Sequence, residues 1–129
     1  MPKRIVDGDA LWLSKKVKQL PEEYRLHYAN WIPLAEANGV FEADPEYIHA
    51  RVYGFLMPSI GVEKVKELLE LMIQERLVAV WQHDGKTWGY FIGIEKSGRL
   101  PGRRESGWYK NLPPTPPRQV LNRASLGPK

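Results

Sequence analysis

A mostly α fold of the α+β class is predicted by three features of this 129-residue chain. Apolar residues recur at helical spacing up to about Arg76, an Asp-Gly pair then separates two β-rich runs, and beyond Glu95 Gly, Pro and Arg dominate. The same order sets the domain organisation, with a folded body over residues 1–95 and a basic Pro/Gly-rich tail over residues 96–129. Charge divides at this boundary. The formal +4 combines a body of 11 Lys/Arg against 14 Asp/Glu, net −3, with a tail of 8 Lys/Arg against Glu105 alone, net +7. Six of the 11 prolines also fall in the tail.

Composition excludes several classes. With no cysteine there is no disulfide framework, thiolate metal site or cysteine nucleophile. Lys15, Lys16 and Lys18 interrupt the one candidate for a signal-peptide apolar region. Pro2-Lys3-Arg4 is too short for a transit peptide, and no apolar run approaches the ~18 residues that span a bilayer. The expectation is a soluble cytoplasmic protein with no membrane partner.

Each element carries its own signals. Ser14 caps a short helix reaching about Leu20. Pro21 suits a first helical position, and Glu22 and Glu23 favour the positive end of the helix dipole. Tyr24, His27, Tyr28, Trp31, Leu34 and Ala35 then mark the buried stripe of an amphipathic helix, ended by Asn38-Gly39 and kinked or shortened by Pro33. Val40-Phe41-Glu42 reads as a short extended segment. Asp44-Pro45 opens a helix to about Tyr53, with Tyr47, Ile48, Val52 and Phe55 as its apolar positions. Val62–Arg76 is the clearest helix, with Val65, Leu68, Leu69, Met72 and Ile73 facing inward.

Val78–His83 and Lys86–Ile94 are joined by Asp84-Gly85, a strong hairpin signal because a type I′ turn requires positive φ at both positions. That turn pairs Trp81 with Trp88, Ala79 with Tyr90 and Val80 with Gly89. The resulting order predicts a winged helix-turn-helix. It has a three-helix core plus β-hairpin wing, a short N-terminal helix and an extended C-terminal tail, and the Phe41 segment adds a short third strand.

The body, over about residues 10–95, resembles the winged-helix N-terminal domain of phage replication-initiator and replisome-organiser-like proteins. The matching stretches are Leu20-Pro21-Glu22 and Ala35 to Gly39 around the first core helix, then Ala43-Asp44-Pro45 and Val62-Glu63-Lys64-Val65 opening the next two. Leu77-Val78 and the wing tip Asp84-Gly85-Lys86 complete the resemblance. It implies DNA binding or assembly at a replication origin in phage or prophage replication or regulation. One departure stands out. The outward stripe of the third core helix holds Glu63, Glu67, Glu70 and Gln74, with Lys64 and Lys66 as the offsetting cations. Carboxylates facing phosphates repel. Either Lys64, Lys66 and the helix start make the contacts, or this helix does not read DNA.

No constellation supports an enzyme, and no cofactor is implied. Gly85-Lys86-Thr87 lacks the glycine five residues earlier that a phosphate-binding loop needs, since that position is Val80. His27, His49 and His83 lie on separate elements and suit core or surface roles better than metal ligation. Trp81, Trp88 and Tyr90 share a hairpin face, where core packing competes with base stacking. In the tail, Lys96, Arg99, Arg103, Arg104, Lys110, Arg118 and Arg123 surround Trp108 and Tyr109, a pattern suited to phosphate neutralisation and stacking or to a solvated linker. Leu112–Arg118 is a polyproline run, either a stiff spacer or a ligand for an aromatic groove.

The expected function is non-enzymatic binding of duplex or single-stranded DNA. Lys64, Lys66, Lys86, Arg99, Arg103, Arg104 and Lys110 would touch phosphates, and Trp108 would stack on bases. The alternative is a protein-interaction module, docking a replication protein or a second copy through the acidic helix or the Pro-rich tail.

Overall fold

The computed structural model describes residues 13–36, 38–92 and 113–120. Helix α1 spans Lys15–Lys18, and the Ser14 hydroxyl caps it by accepting the Val17 N–H at 3.2 Å. The predicted long aromatic helix is divided. A 3₁₀ turn at Glu22–Tyr24 leads into α2, Arg25–Trp31, which tightens into a second 3₁₀ turn at Ile32–Leu34. Pro33 sits in that last turn, and the chain becomes extended at Ala35 (ψ 131°). The helix thus ends before Gly39, which serves instead, at φ 82°, in the turn into strand β1, Val40–Glu42.

Helix α3 covers Pro45–Ile48, with the Asp44 carboxylate capping the Glu46 N–H, and continues as a π-helical turn at His49–Tyr53. The wider turn is closed by Gly54 N–H to the His49 carbonyl at 2.9 Å. Its extra residue moves the inward face onto Tyr53, which is wholly buried, while Phe55 is 92% exposed. The predicted inward position of Phe55 is therefore corrected. Ile48 is buried and Tyr47 and Val52 pack partly against the core, as their spacing predicts.

Helix α4, Val62–Gln74, buries Val65, Leu68, Leu69 and Met72, with Ile73 half-buried at their edge. It stops two residues short of the predicted Arg76. Arg76 takes a left-handed conformation (φ 58°), and the Leu77 N–H returns to the Met72 carbonyl at 2.9 Å.

Strands β2, Val78–His83, and β3, Lys86–Phe91, form the hairpin. Asp84 (φ 51°) and Gly85 (φ 78°) supply the two positive dihedrals, and all three predicted cross-strand pairs are observed. β1 pairs antiparallel with β3, giving a three-stranded sheet in the order β1-β3-β2. The architecture is thus α+β, with helices packed on a small antiparallel sheet. Phe41 stacks on Phe91 at 4.7 Å between ring centroids, and Tyr28 of α2 meets Phe91 edge-on at 6.0 Å. Gly89 lies beneath Phe41, and its missing side chain makes room for that ring. Trp31, Tyr53, Phe41 and Phe91 are the largest side chains of one continuous core that joins all the helices to the sheet.

Part of the predicted tail lies against this body. The Asn38 side-chain amide donates to the Pro113 carbonyl at 2.7 Å, Pro116 is buried, and Val120 packs on the core. The polyproline run therefore meets its own chain between its first proline and Val120. Among the described residues, no helix is long and apolar enough to cross a membrane.

Candidate nucleic-acid interface

The three body lysines expected at phosphates lie on two elements, and each faces a carboxylate. Lys64, in the first turn of α4, has its ammonium 3.8 Å from Glu67. It also donates to the Tyr24 hydroxyl at 2.5 Å, and that hydroxyl in turn donates to Glu67 at 3.0 Å. The Tyr24 hydrogen bond, ahead of the nearby carboxylates, raises the Lys64 pKa, so the lysine stays charged but locally compensated. Lys66 pairs with Glu63 at 3.5 Å. Lys86, at the hairpin tip, lies 3.6 Å from Glu42 of β1 and 5.9 Å from the Trp88 ring centroid.

Exposed pairs of this kind contribute only about 0–1 kcal/mol, so a phosphate could compete for each lysine. Competition still leaves an unpaired carboxylate beside the phosphate. Glu63, Glu67, Glu70 and Gln74 are all exposed along α4, as their spacing predicts. Arg99, Arg103, Arg104, Trp108 and Lys110 lie outside the described residues.

The hairpin aromatics divide between burial and solvent. Trp81 and Tyr90 are buried in the core, and Trp88 is half-buried, with its indole N–H 3.4 Å from the His83 carbonyl. Packing thus accounts for Trp81 and Tyr90, and Trp88 beside Lys86 keeps an accessible edge.

The structure brings together two histidines that lie on different elements. His27 Nδ1 and the Trp31 indole N–H both reach the Tyr53 hydroxyl, at 2.8 and 2.7 Å. His49 also lies beside that ring, with centroids 6.4 Å apart, and its Nε2–H donates to the Ile60 carbonyl at 2.8 Å. The geometry gives each histidine a structural partner.

A concentration of positive charge outside the residues expected to bind DNA lies between α1 and α2. A groove of about 540 Å³ is lined by Lys15, Lys18 and Arg25, with Leu13, Leu26 and Ala29 among its apolar neighbours. Its sequence signal is the Lys15-Lys16-x-Lys18 run followed by Arg25, which enters the same surface only because the Pro21 turn folds α2 back against α1. Compared with known protein families, curated proteins and solved structures, the chain matches none.

Proposed function

We propose that the chain is a non-enzymatic winged-helix protein that binds DNA, in a phage or prophage replication or regulatory setting. The observation that carries this reading is the order helix, strand, helix, helix, hairpin, with β1 closing onto β3. That order is compatible with a winged helix, in which α2, α3 and α4 form the core and β2-β3 the wing. The resemblance to replication-initiator and replisome-organiser domains supplies the setting. The charge division supplies the chemistry, because the +7 tail carries Arg99, Arg103, Arg104 and Lys110 around Trp108.

On this reading α4 is not the groove-reading element. Its lysines are engaged with Glu63 and Glu67, and its exposed face is acidic. The tail arginines make most of the phosphate contacts. The test is binding of the full chain to duplex and single-stranded DNA across a salt series. We expect affinity to fall with a slope near −0.9 per phosphate neutralised on duplex DNA, and a shallower slope in the R99A/R103A/R104A variant. Absence of binding at low salt would overturn the reading.

One observation favours a second function, that of a protein-docking module. The carboxylates of α4 form an exposed acidic ridge beside its two paired lysines, which suits a basic partner surface better than a phosphate backbone. Salt-insensitive or absent DNA binding, together with a dimer in sizing chromatography that the E63A/E67A/E70A variant loses, would favour this function over the first.

A further inference from the structure

We propose that the folded body contacts nucleic-acid phosphates through Lys15, Lys18 and Arg25, on the groove between α1 and α2, rather than through Lys64, Lys66 and Lys86. The inference rests on the DNA-binding reading and gives it a location on the body.

The two sets of cations differ in what surrounds them. Lys64, Lys66 and Lys86 each lie within 4.0 Å of a carboxylate, at 3.8, 3.5 and 3.6 Å. Among the described residues, no such ion pair involves Lys15, Lys18 or Arg25, and no carboxylate lines their groove. Glu22 and Glu23 follow in the next turn and are not among the residues lining the groove. Among the described residues, a phosphate arriving here therefore meets positive charge with no carboxylate paired to it. At α4 it must first displace a carboxylate, and the displaced anion then repels it.

The surface is also held in shape. The Arg25 guanidinium donates to the Leu20 carbonyl through Nε and to the Lys18 carbonyl through its terminal nitrogen, both at 3.0 Å. Those acceptors are neutral, so they orient the cation without cancelling its charge. Buried Val17 and Leu20 anchor α1 and its following turn in the core, and the Lys16 ammonium reaches across to the Arg76 carbonyl at the end of α4. Lys15 and Lys18 are left exposed on the outer side of the anchored helix. Leu13 and Leu26, at 78% and 74% exposure, flank the cations with aliphatic surface. That surface suits the deoxyribose faces between successive phosphates.

The test compares the full chain with K15A/K18A and K64A/K66A variants, by fluorescence anisotropy on a short DNA duplex and on oligothymidine across a salt series. Arg25 is left intact because its hydrogen bonds hold the turn, whereas Lys15 and Lys18 can be truncated without disturbing the core. We expect K15A/K18A to weaken low-salt duplex binding roughly tenfold and to make the salt slope shallower by about 1.8. K64A/K66A should stay within about twofold of the parent, as expected for cations already compensated.

The reverse pattern would overturn the inference. If the parent binds and neither pair matters, the inference fails while the DNA-binding reading survives through the tail. If the parent does not bind at low salt, both fall. A parallel titration with phosphatidylserine vesicles separates another source of phosphate. Loss of vesicle binding in K15A/K18A with DNA binding unchanged would also overturn the inference and assign the groove to a lipid surface.

Discussion

The Tyr53 hydroxyl joins His27 and Trp31 in one hydrogen-bonded network. The Trp31 indole N–H can only donate, so the Tyr53 oxygen accepts from it. His27 Nδ1 lies 2.8 Å from the same hydroxyl, either accepting its proton or donating to its second lone pair according to the tautomer. Burial, and secondarily the positive charge of Lys64, hold the His27 pKa below 6.5. Between that lowered value and 6.5 the unfolded chain binds more protons than the folded one, so stability is lost as pH falls below about 6.5. The urea midpoint should therefore drop between pH 7.5 and 5.5, and H27Q should flatten that drop. An equal drop in parent and variant would refute the assignment. The sequence places His27 and Trp31 on one helix face but does not bring Tyr53 to them. Tyr53 joins them because the π turn at His49–Tyr53 rotates it inward.

Among the elements, the hairpin was the most legible and α3 the least. Asp84-Gly85 determines its own turn type, and turn type determines register, so local chemistry alone predicts each cross-strand pair. Helix α3 has no comparable signal. A regular helix from Pro45 places Phe55 inward, and the inserted residue of the π turn places it in solvent instead.

The sheet contains a sharper dependence at Gly89, the partner of both Phe41 and Val80. A Cβ there would approach Phe41 Cζ at 2.6 Å and the Ala43 methyl at 3.2 Å. The Phe41 ring is buried and stacked on Phe91, so it has little room to move aside. Gly89→Ala should destabilise by about 1–3 kcal/mol through overpacking, seen as a lower urea midpoint. The double variant G89A/F41L should recover part of the loss. A neutral G89A would contradict the packing described.

For the whole molecule, the sequence states how much charge there is and the structure states which of it is compensated. The −3 body and +7 tail, and the acidic stripe of α4, are legible as counts and spacings. The pairing of Lys86 with Glu42 needs β1 to close onto β3, and the open cluster at Lys15, Lys18 and Arg25 needs α2 to fold back on α1. Both depend on contacts between elements and leave no mark within either one. The same holds for the Pro-rich run, whose partner Asn38 lies 75 residues away.

The central claim is that DNA is bound by the tail and the α1–α2 surface while α4 stays outside the interface. Backbone amide shifts of the full chain, titrated with a short DNA duplex at low salt, test it most directly. The account predicts shifts concentrated at residues 15–18, at Arg25 and in the 99–110 stretch, with the exposed positions Glu63, Glu67 and Glu70 silent. Shifts confined to α4, with residues 15–25 and 99–110 unchanged, would contradict it.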